Sequence, residues 1–440
     1  MGVKLHHLTK DVVAIDSVEG DTMKSKAFAV RLILETTEKW ANRCQLSGHS
    51  PYSAARIEAP RSSEIWLVRT AVLCLCLLFS VQTPAQQQET TGNGPSGAPT
   101  FSTFEAPGAG TGTSQGTLPF SINTAGAVAG MYYDANNAYH GFVRAATGTI
   151  TTFEATGAGT GAAQGTISFS INPAGEIAGT YIDASYVHHG FARAAKGKIT
   201  TFKAPGAGAG AHQGTVPISI NTTGVIAGTY LDSSNVYHGF VRGAAGKIAT
   251  FTVPGAGTGK SQGTVALSIN AAGEITGLYR SGRNAFHGFV RASNGTITTF
   301  DAPGAGSGSK QGTLPISINT AGKITGLYRD ARSLLHGFER AVNGKITTFE
   351  APGAGTGAGR GTAGFSINTT GVIAGTYFDS SMVLHGFARA ANGTITAFNA
   401  PGAGNSGLQG TFPLSINSAG DIAGTYFDSK NVLHGFVRTP

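Results

Sequence analysis

Short apolar segments recur along residues 98–440 with a constant period of 49 residues, which gives seven repeats. Each repeat holds four segments in which β-branched and aromatic residues alternate with others, bounded by Gly, Asn or Pro. This alternation is typical of short β-strands. The first repeat therefore predicts strand A at 116–123 (GTLPFSIN), strand B at 127–134 (AVAGMYYD), strand C at 139–145 (YHGFVRA) and strand D at 149–155 (TITTFEA).

The links between these segments alternate between tight turns and long loops. Asn-Gly pairs at 294–295, 343–344 and 392–393 join strands C and D, and Asn-Gly is the strongest short signal for a tight hairpin turn. Asn-x-x-Gly joins strands A and B. A glycine-rich loop, PGAGTGTSQG in its first complete copy, joins strand D to the next strand A. Antiparallel order therefore predicts two rims, one of tight turns and one of long loops.

The two ends of the repeat region complement each other. The region opens with a D segment (TFSTFEAPGAG, 100–110) that no C segment precedes, and it ends with a C segment (HGFVRTP, 434–440) that no D segment follows. Pairing the two segments would remove exposed sheet edges. We therefore expect an all-β fold, a seven-bladed β-propeller of 49-residue four-stranded repeats, closed by pairing of the N-terminal strand with the last blade.

The segments SINTAG, IAGTY and HGFVR resemble the HAF-repeat family of extracellular bacterial repeat proteins. The resemblance covers residues 98–440, with His-Gly-Phe standing where the family has His-Ala-Phe. It implies export and a β-repeat architecture. It supplies no catalytic residues.

The first hundred residues carry a separate signal. The apolar run 71–81 (AVLCLCLLFSV) follows Arg69 and precedes Thr83-Pro84-Ala85, which is the layout of a secretory signal peptide. We therefore interpret 1–67 as a mispredicted or disordered extension, 68–85 as a signal peptide cleaved after Ala85, 86–97 as a linker, and 98–440 as the propeller. The alternative is a membrane-anchored protein that retains the segment 65–81.

Composition limits the chemistry of the repeat region. All three cysteines, Cys44, Cys74 and Cys76, precede the repeats, so the repeats hold neither a disulfide nor a cysteine-based zinc site. A net charge of +8 over 440 residues is mild and argues against nucleic acid as a partner. We expect no cofactor and no bound metal.

Seven histidines recur once in each strand C. Strand C is expected to lie third from the propeller axis, too far out for equivalent histidines to converge on one metal ion. Six repeats place Asp at the end of strand B, and we expect it to bond to the histidine across the hairpin, whereas the fourth repeat has Ser281 there. A structural role is therefore expected for His140, His189, His238, His287, His336, His385 and His434. For the arginine that ends each strand C we expect a solvated or carbonyl-bonded side chain.

Three segments imitate enzyme motifs. Residues 112–116 and 259–263 fit G-x-S-x-G, and PGAGTGKS at 254–261 resembles a phosphate-binding loop. Both kinds of site require a helix after the loop, and here a strand follows. We interpret all three as chance matches.

Basic residues distinguish the middle repeats on the expected long-loop rim. Repeats four to six concentrate them in the B–C and D–A loops, at Lys260, Arg280, Arg283, Lys310, Arg329, Arg332 and Arg360. Such a patch fits an acidic polysaccharide or a phosphate-bearing cell-envelope polymer, although drift among duplicated repeats is the plainer explanation.

These observations favour a secreted, monomeric, non-catalytic binding or scaffold module. One alternative is a polysaccharide-active enzyme, a lyase or glycoside hydrolase, with its site at the mouth of the channel. It would need two unlike carboxyl groups close together, and the irregular acids Glu176, Glu274 and Asp421 lie in separate repeats. The other alternative is a purely structural repeat protein.

Overall fold

The computed structural model of the protein describes residues 99–440, and every regular element there is a β-strand. The predicted N-terminal extension, signal peptide and linker lie outside these residues. Among residues 99–440 no helix has the length and hydropathy needed to cross a bilayer.

The described residues form 28 strands, which fall into the four predicted classes A to D. The A strands are β2 (Gly116–Ile122), β6 (Gly165–Ile171), β10 (Gly214–Ile220), β14 (Gly263–Ile269), β18 (Gly312–Ile318), β22 (Gly361–Ile367) and β26 (Gly410–Ile416). The B strands are β3 (Val128–Tyr133), β7 (Ile177–Ile182), β11 (Ile226–Leu231), β15 (Ile275–Arg280), β19 (Ile324–Arg329), β23 (Ile373–Phe378) and β27 (Ile422–Phe427).

The outer classes follow the same order. The C strands are β4 (Tyr139–Arg144), β8 (His188–Arg193), β12 (Tyr237–Arg242), β16 (Phe286–Arg291), β20 (Leu335–Arg340), β24 (Leu384–Arg389) and β28 (Leu433–Thr439). The D strands are β1 (Thr100–Phe104), β5 (Ile150–Phe153), β9 (Ile199–Phe202), β13 (Ile248–Phe251), β17 (Ile297–Phe300), β21 (Ile346–Phe349) and β25 (Ile395–Phe398). The strands predicted for the first repeat are confirmed to within one or two residues at each end.

Consecutive strands pair antiparallel in the order A, B, C, D, so that each repeat builds a four-stranded unit. In the first unit Gly116 lies opposite Tyr133, Tyr133 opposite Tyr139, and Gly141 opposite Phe153. Gly141 suits this position because a β-carbon would lie 3.1 Å from the ring of Phe153, so a larger residue would push that ring aside. The glycine of HGFVR therefore leaves room for the phenylalanine ring of strand D.

The first strand closes the structure, as predicted. Strand β1 pairs antiparallel with β28, from Thr100 opposite Thr439 to Phe104 opposite Gly435. The N-terminal segment thus supplies the D strand that the last repeat lacks. Residues 99–440 therefore form an all-β closed ring of repeated four-stranded units.

Two circles of hydrogen bonds join the A strands around the axis. The amide of each strand-end asparagine donates to the main-chain carbonyl of the next one, with N···O distances from 2.9 to 3.2 Å, and Asn417 donates back to Asn123. In a second circle the main-chain N–H that ends each A strand donates to the serine of the preceding one, as Ile171 does to Ser121 at 3.3 Å. Both circles close on themselves, which fixes the A strands as the innermost layer.

The core lies between successive units. The phenylalanine of each C strand is fully buried, as Phe142 and Phe191 show. One cluster combines Ala129 and Val143 of the first repeat with Ile177 and Phe191 of the second. Each unit therefore buries its apolar face against its neighbour rather than inside itself.

Candidate functional site

The B–C and D–A loops meet at one rim, which we call the long-loop rim. The main-chain N–H of Ser114, in a D–A loop, donates to the carbonyl of Asn431, in the B–C loop of the preceding unit. The side-chain amide of Gln115 donates to the carbonyl of Ala135 and to the side chain of Asn137 in its own unit. Six of the seven D–A loops are bonded in this way to two B–C loops, and in the sixth repeat Arg360 replaces the glutamine. Hydrogen bonds therefore join neighbouring loops along the rim. At the opposite, tight-turn rim, Gly126 lies against Ala146.

The seven basic residues predicted on the long-loop rim do lie there, and we call them the basic sector. The hydrogen bonds between loops place them in neighbouring groups. The guanidinium of Arg280 donates to the carbonyl of Ser261, beside Lys260, at 3.1 Å. The N–H of Lys310 donates to the carbonyl of Asn284, which follows Arg283.

The third group of the basic sector spans the fifth and sixth units. The N–H of Gly359, which precedes Arg360, donates to the carbonyl of Ser333, which follows Arg332. The side chain of Arg332 is 84% exposed, with Nε 3.5 Å from a carboxylate oxygen of Asp330. The fold therefore brings basic residues of different repeats together at successive junctions.

Two members of the basic sector replace apolar residues. Arg280 and Arg329 end strands β15 and β19, where they lie opposite Gly263 and Gly312. The same position in the other repeats holds Tyr133, Ile182, Leu231, Phe378 and Phe427. Guanidinium groups at this place can bind carboxylate, sulfate or phosphate oxygens through paired hydrogen bonds.

The aspartate predicted to bond to the histidine across each B–C hairpin lies 2.8 to 3.6 Å from it in six repeats. The contact is a hydrogen bond for His189, His238 and His385. The closest pair is His189 Nε2 and Asp183 Oδ2, at 2.8 Å. The other carboxylate oxygen of Asp183 accepts the N–H groups of Ser185 and Val187, which shapes the loop. Burial by itself would raise the pKa of Asp183, but these hydrogen bonds hold the pKa below its ordinary value.

Each repeated histidine also stacks on the tyrosine beside it in strand B. His140 lies 4.7 Å from Tyr132, ring centroid to centroid, with the planes 18° apart. The contacts that the structure gives these histidines lie within their own unit, and among residues 99–440 no cluster of three or more His, Cys, Asp and Glu side chains could hold a metal ion. These contacts indicate that each histidine stabilises the B–C hairpin of its own unit.

The last histidine has two carboxylate partners. His434 contacts Asp428 at 3.4 Å and also the carboxylate of Glu105, just after strand β1. Burial by itself would lower the pKa of His434, but hydrogen bonds to Asp428 and Glu105 raise it to about 9. The ion pair with Glu105 therefore ties the N-terminal strand to the last unit.

The expectation of a solvated arginine at the end of strand C is wrong. Each of these arginines packs over the phenylalanine that ends a D strand of the preceding unit, as Arg144 does over Phe104 with 4.9 Å between its guanidinium carbon and the ring centroid. Arg144 is only 8% exposed. The carbonyl-bonded alternative is confirmed for Arg144 and Arg291, each 3.4 Å from the next residue's carbonyl oxygen.

The axis carries a channel lined by equivalent positions of every repeat. The A strands have a bulge at this point, which turns one apolar residue toward the axis beside each serine. In the first repeat these residues are Phe120 and Ser121. The channel wall alternates apolar groups with hydroxyl groups, and no charged side chain lines it at this level.

The enzyme-like motifs take the structures expected of chance matches. Ser114 and Ser261 lie in D–A loops that lead into strands β2 and β14, and no helix follows either of them. Glu176 and Glu274 each accept a hydrogen bond from the asparagine that ends the A strand of their own repeat, at 2.8 and 2.7 Å. These carboxylates belong to the asparagine circle rather than to a shared site.

No protein-family model matches the chain, and no curated protein matches it. Among solved structures, the chain is similar to the BP39L lectin from Burkholderia pseudomallei, with a TM-score of 0.48 and 10% identity over 72% of this chain and 93% of the lectin. It is also similar to a fungal lectin from Aleuria aurantia, described as a six-bladed β-propeller with a fucose recognition mode, with a TM-score of 0.32 and 16% identity over 61% of this chain and 89% of the lectin.

A third similarity is to a prolyl endopeptidase, with a TM-score of 0.44 and 10% identity over 76% of this chain. The chain spans 50% of that enzyme's length. Likenesses this distant do not bear on what the chain binds or on how many blades it has.

Proposed function

We propose that the protein is a secreted, monomeric, seven-bladed β-propeller that binds acidic polysaccharides through the basic sector of its long-loop rim. One blade would correspond to each four-stranded unit. The observation that carries the proposal is the placement of the basic sector. Its residues come from three repeats, yet the bonds between loops bring them together on one stretch of the rim.

The local charge balance supports this reading. In the other repeats the Asp that ends strand B places a carboxylate on the B–C loop, but the fourth repeat has Ser281 there. The B–C loop of that repeat, residues 281–285, therefore holds no acid beside Arg283. Exposed charges of one sign attract a polyanion over roughly 8 Å at physiological ionic strength.

A binding module also suits the repeated architecture. Several weak contacts at neighbouring junctions of one rigid rim raise the avidity for a polymer without any new kind of contact. An enzyme would need an asymmetric pair of catalytic groups. The acids considered for that role, Glu176, Glu274 and Asp421, bond instead to the asparagines of their own repeats.

The test is retention of the full chain on acidic and neutral polysaccharides at low and high salt. We expect retention on acidic polymers at low salt, and loss of that retention in the variant Arg280→Gln/Arg283→Gln/Arg329→Gln/Arg332→Gln. At about 0.5 kcal/mol for each exposed charge pair, the four substitutions together would weaken binding by about tenfold or more.

A matched control removes four charges from the tight-turn rim instead. Lys196, Lys198, Lys247 and Lys345 are exposed in the C–D turns. Their replacement by Gln gives the same net charge and should leave retention unchanged. Equal retention of both variants would contradict the proposal.

Export is the second part of the proposal, and the signal-like run at 71–81 supports it. The resemblance to the HAF-repeat family points the same way. Sequencing the N-terminus of the exported chain tests it. A chain that begins at residue 86 is expected, and one that begins at Met1 would contradict the interpretation.

A further inference from the structure

Two loop positions at every junction between units have a left-handed backbone. One lies in the B–C loop and the other in the D–A loop that follows, and the N–H of the second donates to the carbonyl of the first. The pairs are Asn431 with Ser114, Asn137 with Ala163, Tyr186 with His212, Asn235 with Ser261, Asn284 with Lys310, Ser333 with Gly359, and Met382 with Leu408. This motif fixes the backbone of the whole long-loop rim.

The fold itself favours small or amide residues at these positions. A left-handed backbone is costly for a residue with a bulky side chain, and Asn and Gly tolerate it best. Four of the seven B–C positions hold Asn, in keeping with that preference. Two pairs depart from it with bulky side chains at both positions, Met382 with Leu408 and Tyr186 with His212. The second pair, with φ angles of 62° and 65°, is the one that has two rings.

Packing gives only part of an explanation for this departure. The side chain of Tyr186 packs against the edge of the core, yet Tyr186 and His212 are both half-exposed. The tyrosine hydroxyl donates only a long hydrogen bond, 3.4 Å, to the carbonyl of Ala162. The two rings lie 5.4 Å apart with their planes tilted by 40°, so together they form a shallow aromatic surface on the rim. Every junction needs the left-handed backbone but not a bulky side chain on it, and costly conformations of this kind cluster at ligand sites.

We propose that Tyr186 and His212 form a stacking platform for a sugar ring of the polysaccharide. This inference rests on the proposed function and deepens it. The C–H face of a pyranose ring packs on an aromatic face, while the polar edges of tyrosine and histidine can bond to sugar hydroxyls. The platform lies on the same rim as the basic sector but uses no permanent charge. It therefore supplies the part of the binding that salt does not screen.

The chain itself provides the test variant. Tyr186→Asn/His212→Ser converts this junction into a copy of the next one, Asn235 with Ser261, which the same fold already accommodates. The control, Met382→Asn/Leu408→Ser, makes the same change at a junction whose side chains lack both rings and polar edges. Retention of the full chain is measured on polygalacturonate, alginate and a sulfated glycan at about 1 M salt, where the Debye length falls to about 3 Å.

We expect the wild-type protein to keep measurable retention at high salt, and the Tyr186→Asn/His212→Ser variant to lose it by about tenfold or more while its thermal midpoint stays equal or rises. The control variant should bind like the wild type. The platform is overturned if the wild type shows no retention at high salt, if the variant binds unchanged, or if the control loses as much. A lowered thermal midpoint that accompanies the loss would also overturn it, because the pair would then be structural. Loss of the low-salt retention in the four-arginine variant reports on the proposed function separately.

Discussion

At the scale of single residues, the arginine that ends strand C belongs to the interface between units. Arg144 lies over Phe104, and its guanidinium also donates to the hydroxyl of Ser102, at 3.2 Å. Both partners lie in the D strand of the preceding unit. The sequence displays this arginine seven times, but strand D precedes it by about forty positions, so local spacing could not identify the ring as its partner.

Replacing Arg144 by Ala should therefore destabilise the fold. A guanidinium over a ring contributes about 0.5 to 2 kcal/mol, and the aliphatic stem adds packing, so we expect a loss of about 1 to 3 kcal/mol in the free energy of unfolding. Chemical denaturation followed by circular dichroism measures it. The control Arg332→Ala removes an arginine that is 84% exposed and should change stability by less than about 0.5 kcal/mol. Equal effects of the two substitutions would refute the interface role.

At the scale of elements, strand β1 is held by more than its ladder with β28. Glu105, just after the strand, bonds to His434 of the last unit through one carboxylate oxygen, while its other oxygen accepts the hydroxyl of Thr117 in the first A strand, at 2.8 Å. One side chain thus connects three elements at the point where the ring closes. Phe101 adds ring contacts with Phe398 and Phe436, each at 6.0 Å.

The closing ion pair should make stability depend on pH. Because the folded pKa of His434, about 9, lies above its ordinary value of 6.5, the stabilisation is complete below pH 6.5 and is lost as the pH rises through about 9. The pKa of Asp428 is lowered, so its own contribution is instead lost in acid. His434→Gln should lower the thermal midpoint by about 1 to 3 °C near pH 6 and by less near pH 10.

Differential scanning calorimetry at the two pH values measures this difference. The control is His287→Gln, because His287 contacts one carboxylate, Asp301, and its repeat has Ser281 instead of the usual Asp. It should show the smaller change with pH. A His434→Gln effect of the same size near pH 6 and near pH 10 would contradict the assignment.

The strands themselves were predictable because seven copies of each hairpin carry the same signals. Alternating apolar residues gave the strands, Asn-Gly gave the C–D turns, and the unpaired D and C segments gave the closure by β1. The circle of asparagines at the A–B turns was not predicted, because the acceptor of each amide lies 49 residues away. The placement of the basic sector on the long-loop rim was predicted from strand order. The left-handed pairs that organise that rim were not predicted, because only four of the seven B–C positions hold Asn and the D–A positions vary more widely. The count of seven blades stays a proposal.

At the scale of the whole molecule, a symmetric ring carries an asymmetric surface. The circles of asparagine and serine bonds repeat around the axis with nearly constant distances, whereas the residues of the long-loop rim vary among the junctions. The closed ring assigns stability and surface variation to different parts of the molecule. The inner layers hold the ring together, and loop substitutions can change the rim without disturbing the axis.

The pairing of β1 with β28 closes the ring between the two ends of the repeat region. If the units are equivalent, these ends can be moved to another unit by circular permutation without loss of the fold. Thr439 and Thr100 are paired, just as Ala145 and Thr149 flank the C–D turn of the first unit, so a copy of Ala146-Thr147-Gly148 should join them. A permuted chain that begins at Thr149 and ends at Ala145 would then close through β4 and β5, which pair in the same register.

We expect this permutant to be soluble and monomeric by light scattering, with a thermal midpoint within a few degrees of the repeat region that keeps its own termini. The control is a chain that begins at Glu105 and so lacks strand β1. It leaves β28 as an open edge, which favours pairing with other chains, and it should aggregate. A soluble, equally stable control would show that strand β1 is dispensable, and an insoluble permutant would show that closure depends on this one break rather than on the equivalence of the units.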